Sequence, residues 1–439
     1  MSTPHSLDKS LGVIIFPAYD WAISPTHPER EERLLYTHDQ LREEGIFDLP
    51  GITEYKPRTA TLAEMARAHF CPPGFADTVA QPHFVSAGSA ITAADLVMQG
   101  TKKTAFALTR PPGHHAMRVV QGSRGFCTVN IEAVMVEHIR QQYSCQRIAI
   151  VDTDCHHGDG TQDVYWHDPN VLFISVHQDG RTLYPGSGFP NELGGPNALG
   201  TTINIPLPPR TGDEGYLYVM ENLVRPILDA WKPDLVINSA GQDNHFSDPI
   251  TDMNITAQGY GKLVSVLQPD IAVLEGGYAI QGALPYVNLA VLLALAGMDY
   301  SHVVEPSLSG FDTSTDARTM AYIHKLTDTM LEVTKDPSRL SPEGYHQSNG
   351  WWVRERDIYY DTDNISEQQE DRVWACSSCS GLVQITTRTT YRKNSLCLLI
   401  PYGACQHCID KGHELYTHAQ KDNKPVELYD AVNDTYERG

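Results

Sequence analysis

RIAIVDTDCHHGDG, residues 147–160, is the stretch that decides how this chain is read. Its first half is a short apolar, β-rich run of the kind that forms a strand buried on both faces. Its second half places three carboxylates and two imidazoles within residues 152–159, a charge density that packing alone does not explain. Working outward, similar runs recur at AFALT (105–109), VLFISV (171–176), DLVINSA (234–240) and IAVLEGG (271–277), with amphipathic helical candidates at 213–230 and 279–296 between them. Strands alternating with helices predict an α/β fold, a parallel sheet sandwiched by helices. Nearly every polar cluster begins where one of these runs stops, which is where open parallel sheets hold their ligands, so the clusters are expected to converge on one crevice.

Asp154 and His156 lie two residues apart, so in an extended segment their side chains leave on one face and can share a cation. A zinc site that keeps a position for water needs a third protein ligand, and Asp243 in SAGQDNHFSDP (239–249) is the candidate. An Asp/His/Asp set leaves the metal a strong Lewis acid, suited to polarising an amide carbonyl and acidifying water; iron(II) or cobalt would accept the same donors. The alternative is that these aspartates merely cap the following backbone. RPPGHHA (110–116) aims two adjacent histidines, His114 and His115, from a stiff turn. Amide hydrolysis needs a proton acceptor and a proton donor, and imidazole serves as both near neutral pH. Asp152 and Asp159 remain to orient them. Tyr278, behind the glycines of LEGGY (274–278), offers a hydroxyl for an oxyanion.

RPPGHHA, GFC (125–127), DTDCHHGDG, SAGQD…DP and EGGY, in this order and preceded by THPEREER (26–33), resemble the histone deacetylase and acetylpolyamine amidohydrolase family over residues 10 to 300. The resemblance implies an arginase-like parallel sheet and a catalytic zinc on Asp154, His156 and Asp243. It also implies His114 and His115 as a tandem pair backed by Asp152 and Asp159, with Tyr278 polarising the carbonyl. On the substrate side it implies Gly125, Phe126, Tyr184, Ile250 and Gly277, with Phe126 and Tyr184 flanking an acyl-lysine tunnel. A potassium ion is implied beside the zinc, at Asp152, Ser175 and Val176, and a second monovalent site near Tyr165, Asp168 and Val171. Related two-manganese arginases need further aspartates where Gly158 and Gly241 stand here, so one catalytic metal is expected.

The substrate is read as an N-acyl-lysine of a protein or peptide. Acetylpolyamines and other small N-acyl amines are the alternative, and an inert acyl-amine-binding pocket is the third reading. In polyamine-selective relatives a glutamate follows the DP dipeptide, where Ile250 stands here. The rim aspartate that holds a peptide backbone has no counterpart in FADTVAQPHFVSAGS (75–89).

A boundary is expected near 340, dividing a catalytic domain (1–340) from a C-terminal module (341–439). SPEGYHQSNGWW (341–352) reads as loop and DTDNISEQQEDR (361–372) as a polar, acidic stretch. Cys376, Cys379, Cys405 and Cys408 form CSSC and CQHC pairs at zinc-ribbon spacing, with LVQITTRTTYR (382–392) and NSLCLLIP (394–401) as a linking hairpin. A structural zinc is favoured over a redox pair, and Cys71, Cys127, Cys145, Cys155 and Cys397 read as packing residues.

With 439 residues, 41% of them hydrophobic, the chain can build a sizeable core. A formal charge of -21 disfavours nucleic acid and favours cationic ligands. MSTPHSLDKSLGVIIFPAYD lacks a signal-peptide pattern and no long apolar run follows, so no membrane partner and a reducing, cytoplasmic location are expected. Self-association is left open.

Overall fold

The computed structural model describes residues 10–16, 21–374, 376–392 and 394–439; residues 1–9 and 17–20 of the stretch read for targeting signals lie outside them. Eight strands form the central sheet: β1 (Leu11–Ile15), β2 (Ile52–Tyr55), β3 (Thr104–Leu108), β4 (Ile148–Asp152), β5 (Val171–Gln178), β6 (Thr202–Leu207), β7 (Leu235–Ala240) and β8 (Ile271–Leu274). Their order is β2-β1-β3-β8-β7-β4-β5-β6, and every neighbouring pair is parallel. The predicted α/β sandwich is therefore present. Successive side chains on a strand point to opposite faces, so Leu11, Val13, Phe106, Leu108, Ala149 and Val151 enter one core. Ile14, Ala105, Ala107, Ile148 and Ile150 enter the other.

Three strands escape the sequence reading. LGVII, ITEY and TINIPL are short runs beside irregular segments, and their pairing partners rather than their own pattern make them strands. The segment 213–230 is helical throughout, with a π turn at Met220–Val224. The helix expected at 279–296 spans Leu284–Leu295 and is buried on nearly every side, so it is a core helix and not an amphipathic one.

The helix Ala317–Lys335, which packs on the helical segment 213–224, is followed by a second sheet of seven strands. These are β9 (His346–Ser348), β10 (Trp351–Tyr360), β11 (Ile365–Trp374), β12 (Val383–Thr389), β13 (Ser395–Ile400), β14 (Val426–Asp430) and β15 (Thr435–Arg438). The expected hairpin between the cysteine pairs is β12–β13, with Val383 opposite Leu399. The segments read as loop and acidic stretch are strands instead: β9, β10 and β11 run through them. In β11, Glu367, Gln369, Asp371 and Val373 alternate inward, so half of an acidic segment is buried. Those carboxylates have partners, which is what permits their burial. Asp371 accepts from Arg354 (2.8 Å) and lies 3.1 Å from Arg356, which also pairs with Asp163 of the first unit (2.5 Å). An apolar seam of Phe70, Val119, Val383, Ile385, Cys397 and Tyr429 joins the two units. Cys397 is thus a packing residue, as read. Among the described residues no helix is long and apolar enough to cross a membrane.

Candidate active site

Four strands that are adjacent in the sheet, β3, β8, β7 and β4, deliver the predicted residues from four distant parts of the chain to one end of the sheet. Asp154, His156 and Asp243 offer ligand atoms that all lie within 4.8 Å of one another. His156 Nδ1 is 2.8 Å from Asp243 Oδ2 and 3.1 Å from Asp154 Oδ1. Backbone N–H groups hold the carboxylates: His156 and Gly276 donate to Asp154 (2.8 and 2.7 Å), and Cys155 donates to Asp243 (2.8 Å).

This donor set fits a divalent cation. Both carboxylates are fully buried, and an uncompensated buried charge costs several kcal/mol. Burial pushes Asp243 up, and Asp154 beside it pushes it further. Burial opposes a charge on His156, yet the two carboxylates outweigh it and raise the ring to about 10. A proton there balances one negative charge, whereas a divalent ion balances two.

Gly158 and Gly241 matter for what they leave out. A Cβ on Gly241 would meet Asp154 Oδ2 at 2.0 Å, and one on Gly158 would meet Asp152 Oδ2 at 2.0 Å. At Gly241 the added atom would also fall 2.4 Å from the Asp154 Cα, so no side chain, and no extra carboxylate ligand, fits there without moving the backbone.

Beside this cluster His114 Nδ1 lies 3.0 Å from Asp152 Oδ2, and His115 Nδ1 lies 2.7 Å from Asp159 Oδ1. Each ring is fixed through Nδ1, which leaves Nε2 for chemistry. Burial disfavours a charge on either ring. Asp154 and Asp152 overcome this at His114 and raise it to about 9. At His115 burial dominates, the charges of His114, His156 and Arg124 add to it, and the ring stays well below 6.5.

Tyr278 packs edge-on against Phe126 (centroids 5.7 Å apart) with the Arg33 guanidinium 4.9 Å from its ring centre. Its backbone N–H donates to Asp248 (2.8 Å), and burial holds its hydroxyl well above 10, so it remains a donor. Tyr184 stands edge-on to His115 and His156, 5.2 and 6.5 Å between centroids. Ile250 is half-buried in a turn where its N–H donates to Asp248 (3.1 Å). The Gly277 carbonyl accepts from Arg33 Nε (2.7 Å).

Ser175 sits opposite Asp152 in the sheet, its hydroxyl 2.8 Å from His177 Nδ1, and the Val176 carbonyl accepts from Tyr216 (3.1 Å). Asp168, from the looser second cation site, gives its carboxylate to Arg140 (2.6 Å).

Several residues of the site were not singled out in the sequence. Glu275 is fully buried and accepts from the N–H groups of Gly113 (2.7 Å) and His114 (3.1 Å), bracing the tandem histidines. Arg33 donates to the backbone of Glu275 and Gly277, and Arg124 pairs with Asp159 (2.7 Å). Asp361, from the turn between β10 and β11, accepts from Gly125 N–H (2.9 Å) and the Tyr184 hydroxyl (3.3 Å). Glu275 and Arg33 lie inside quoted motifs, whereas nothing in the sequence around Asp361 marks it.

Among the described residues, the other cluster able to hold a metal is Cys376, Cys379, Cys405 and Cys408. The first pair follows β11 and the second opens the helix Gln406–Lys421. Sγ atoms are 3.7 Å apart for Cys376 and Cys405 and 3.5 Å for Cys379 and Cys408, far beyond a disulfide bond.

Residues 74–294 match the model of the histone deacetylase domain. The chain is 44% identical over 314 residues to a probable deacetylase of Archaeoglobus fulgidus, covering 64% of this chain and 85% of that protein. It is 31% identical over 330 residues to the acetoin utilization protein AcuC of Bacillus subtilis, covering 67% and 84%. It spans about half the length of the chloroplastic histone deacetylase 14 of Arabidopsis thaliana, at 36% identity over 218 residues (46% of this chain, 51% of that protein). The crystal structure of the HDA15 HD domain superposes with a TM-score of 0.63 at 27% identity, over 75% of this chain and 96% of that one. The order of motifs, the parallel sheet that gathers them and these matches agree, and the chain belongs to the histone deacetylase family.

Proposed function

We propose that this protein is a zinc-dependent deacylase that hydrolyses the amide of an N-acyl-lysine in a protein or peptide. The observation that carries the reading is the gathering of three buried donors and two carboxylate-backed imidazoles at one end of the sheet, with a buried, protonated tyrosine near enough to feel the charges of Asp243 and Asp154. Asp154, His156 and Asp243 would hold the zinc, which when bound would supply the Lewis acidity that polarises an acyl carbonyl and lowers the pKa of a water. Phe126 and Tyr184 flank the acyl-bearing chain. His114 takes a proton from the attacking water. Asp154 is the charge that most raises its pKa, so once both ligand carboxylates are balanced the ring is able to accept. That proton passes to the leaving amine by way of His115, whose ring is tied to Asp159 and whose centroid lies 4.1 Å from that of His114. Tyr278 donates its hydroxyl hydrogen bond to the developing oxyanion. Asp152, Ser175 and the Val176 carbonyl form the neighbourhood in which a potassium ion is proposed. Small N-acyl amines would use the same centre, and Ile250 after Asp248 and Pro249 weighs against polyamines because it offers no charge to a distant ammonium.

The test is turnover on a panel of acetyl-lysine peptide, longer acyl-lysine peptide and N-acetylputrescine, read together with metal content. Cleavage of acyl-lysine peptides with little activity on N-acetylputrescine is expected. The reverse preference would move the assignment to small amines, and tight hydroxamate binding with no turnover would move it to recognition.

The four cysteines are assigned a structural zinc, and the two units divided near residue 340 are assigned catalysis and support. Cys408→Ser is expected to remove about one zinc equivalent and to lower the melting temperature by several degrees, since a closed thiolate site contributes folding free energy. Differential scanning calorimetry with metal analysis reads both; an unchanged zinc content would refute the assignment.

A further inference from the structure

The second sheet reaches the mouth of the active site. The turn between β10 and β11 lies against the segment that carries the tunnel wall, and three contacts tie them. Tyr360 donates to the Val119 carbonyl (2.7 Å), Ser123 N–H donates to Asp363 (2.6 Å), and Gly125 N–H donates to Asp361 Oδ1 (2.9 Å). The same Asp361 oxygen accepts from the Tyr184 hydroxyl. One carboxylate atom therefore holds both tunnel walls: Tyr184 directly, and Phe126 through the peptide group before Gly125.

That segment needs holding. Gly125 and Phe126 have φ of +51° and +71°, a left-handed pair that is unfavourable for a bulky residue such as phenylalanine and persists where surroundings impose it. Arg124 and Cys127 close the turn from within by two 2.8 Å backbone hydrogen bonds. Asp361 is the clamp from outside. Gly125 also lies against His115, whose Cδ2 would be 2.4 Å from a Cβ at that position, so the turn has no room to shift inward.

We propose that Asp361 is a positioning residue for substrate entry, through which the C-terminal unit sets the spacing of Phe126 and Tyr184. This rests on the deacylase reading of the centre beneath it. His115 has its own bond to Asp159 and Tyr278 its own to Asp248, so the clamp reaches the chemistry below the rim only indirectly, through Arg124 on Asp159 and Phe126 against Tyr278.

The test compares Asp361→Ala and Asp361→Asn with wild type in the full, zinc-loaded chain. Asp361→Ala is expected to raise KM for an acetyl-lysine peptide about tenfold while kcat stays within about threefold, the scale of two lost hydrogen bonds at a partly solvated site. Asp361→Asn keeps an acceptor oxygen at the same place and is expected to recover most of the loss. Hydrogen exchange of residues 122–127, measured without substrate, is expected to quicken about tenfold in Asp361→Ala, with the helix Ile131–Tyr143 unchanged as an internal control. Unchanged KM and exchange in Asp361→Ala overturn the proposal, as does an Asn variant no better than Ala. A wild type that hydrolyses nothing overturns the deacylase reading instead and leaves the exchange measurement to judge Asp361.

Discussion

Tyr278→Phe is expected to lower kcat on an acetyl-lysine peptide by about 10²–10³-fold, the usual cost of removing one donor to a developing oxyanion. Zinc content and melting temperature are expected to stay near wild type. The change removes one oxygen and keeps the ring. The ring's contacts with Phe126 and Arg33 survive, and the bond from the residue's N–H to Asp248 belongs to the backbone. Burial holds the hydroxyl in its protonated form across the working pH range, so what is lost is a hydrogen-bond donor and not a charge. Steady-state kinetics beside metal analysis decides the matter. A loss smaller than about threefold would remove Tyr278 from the chemistry.

Asp243→Ala is expected to take zinc from about two equivalents to about one and to cut activity by about a thousandfold or more, since several kcal/mol of Lewis-acid stabilisation go with the ion. The residue is fully buried and both of its oxygens are engaged, one with Cys155 N–H and one with His156 Nδ1. Alanine leaves two donors, one short of what a catalytic zinc site takes from protein. The zinc that remains is expected on the cysteines, making this variant the mirror image of Cys408→Ser. Mass spectrometry under native conditions would count the ions in each. Full zinc content in Asp243→Ala would mean that the third ligand is another residue.

Legibility in the sequence followed the range over which each signal acts. The strand ends carrying Asp154, His156, His114, His115 and Tyr278 were readable because packing alone seldom puts dense polar chemistry directly after a short apolar run. Tyr184 and Phe126 came from resemblance, and the structure places both beside the histidines or Tyr278. Glu275 was hidden in plain view: a buried glutamate whose task is to accept two backbone N–H bonds leaves no periodic trace. The acidic segment 361–372 misled because its carboxylates looked solvated. What makes it a strand is Arg354, Arg356 and Tyr360 on the neighbouring strand, and those pairings exist only in three dimensions. Asp361 lies 236 positions from the glycine it holds, beyond any local pattern.

The order β2-β1-β3-β8-β7-β4-β5-β6 has one further consequence. The last strand of this sheet to leave the ribosome, β8, is the one that lies between the amino-terminal trio and the quartet built from β4 to β7. Until residues 271–274 are made, β3 and β7 each present an open edge to the other and to any passing chain, the kind of edge through which nascent proteins misassemble. β8 is thus a keystone: its arrival joins two half-sheets into one and, in the same step, brings Glu275 and Tyr278 to residues already waiting on either side. In vectorial synthesis, the interval before β8 is the one in which these two inner edges lie open together.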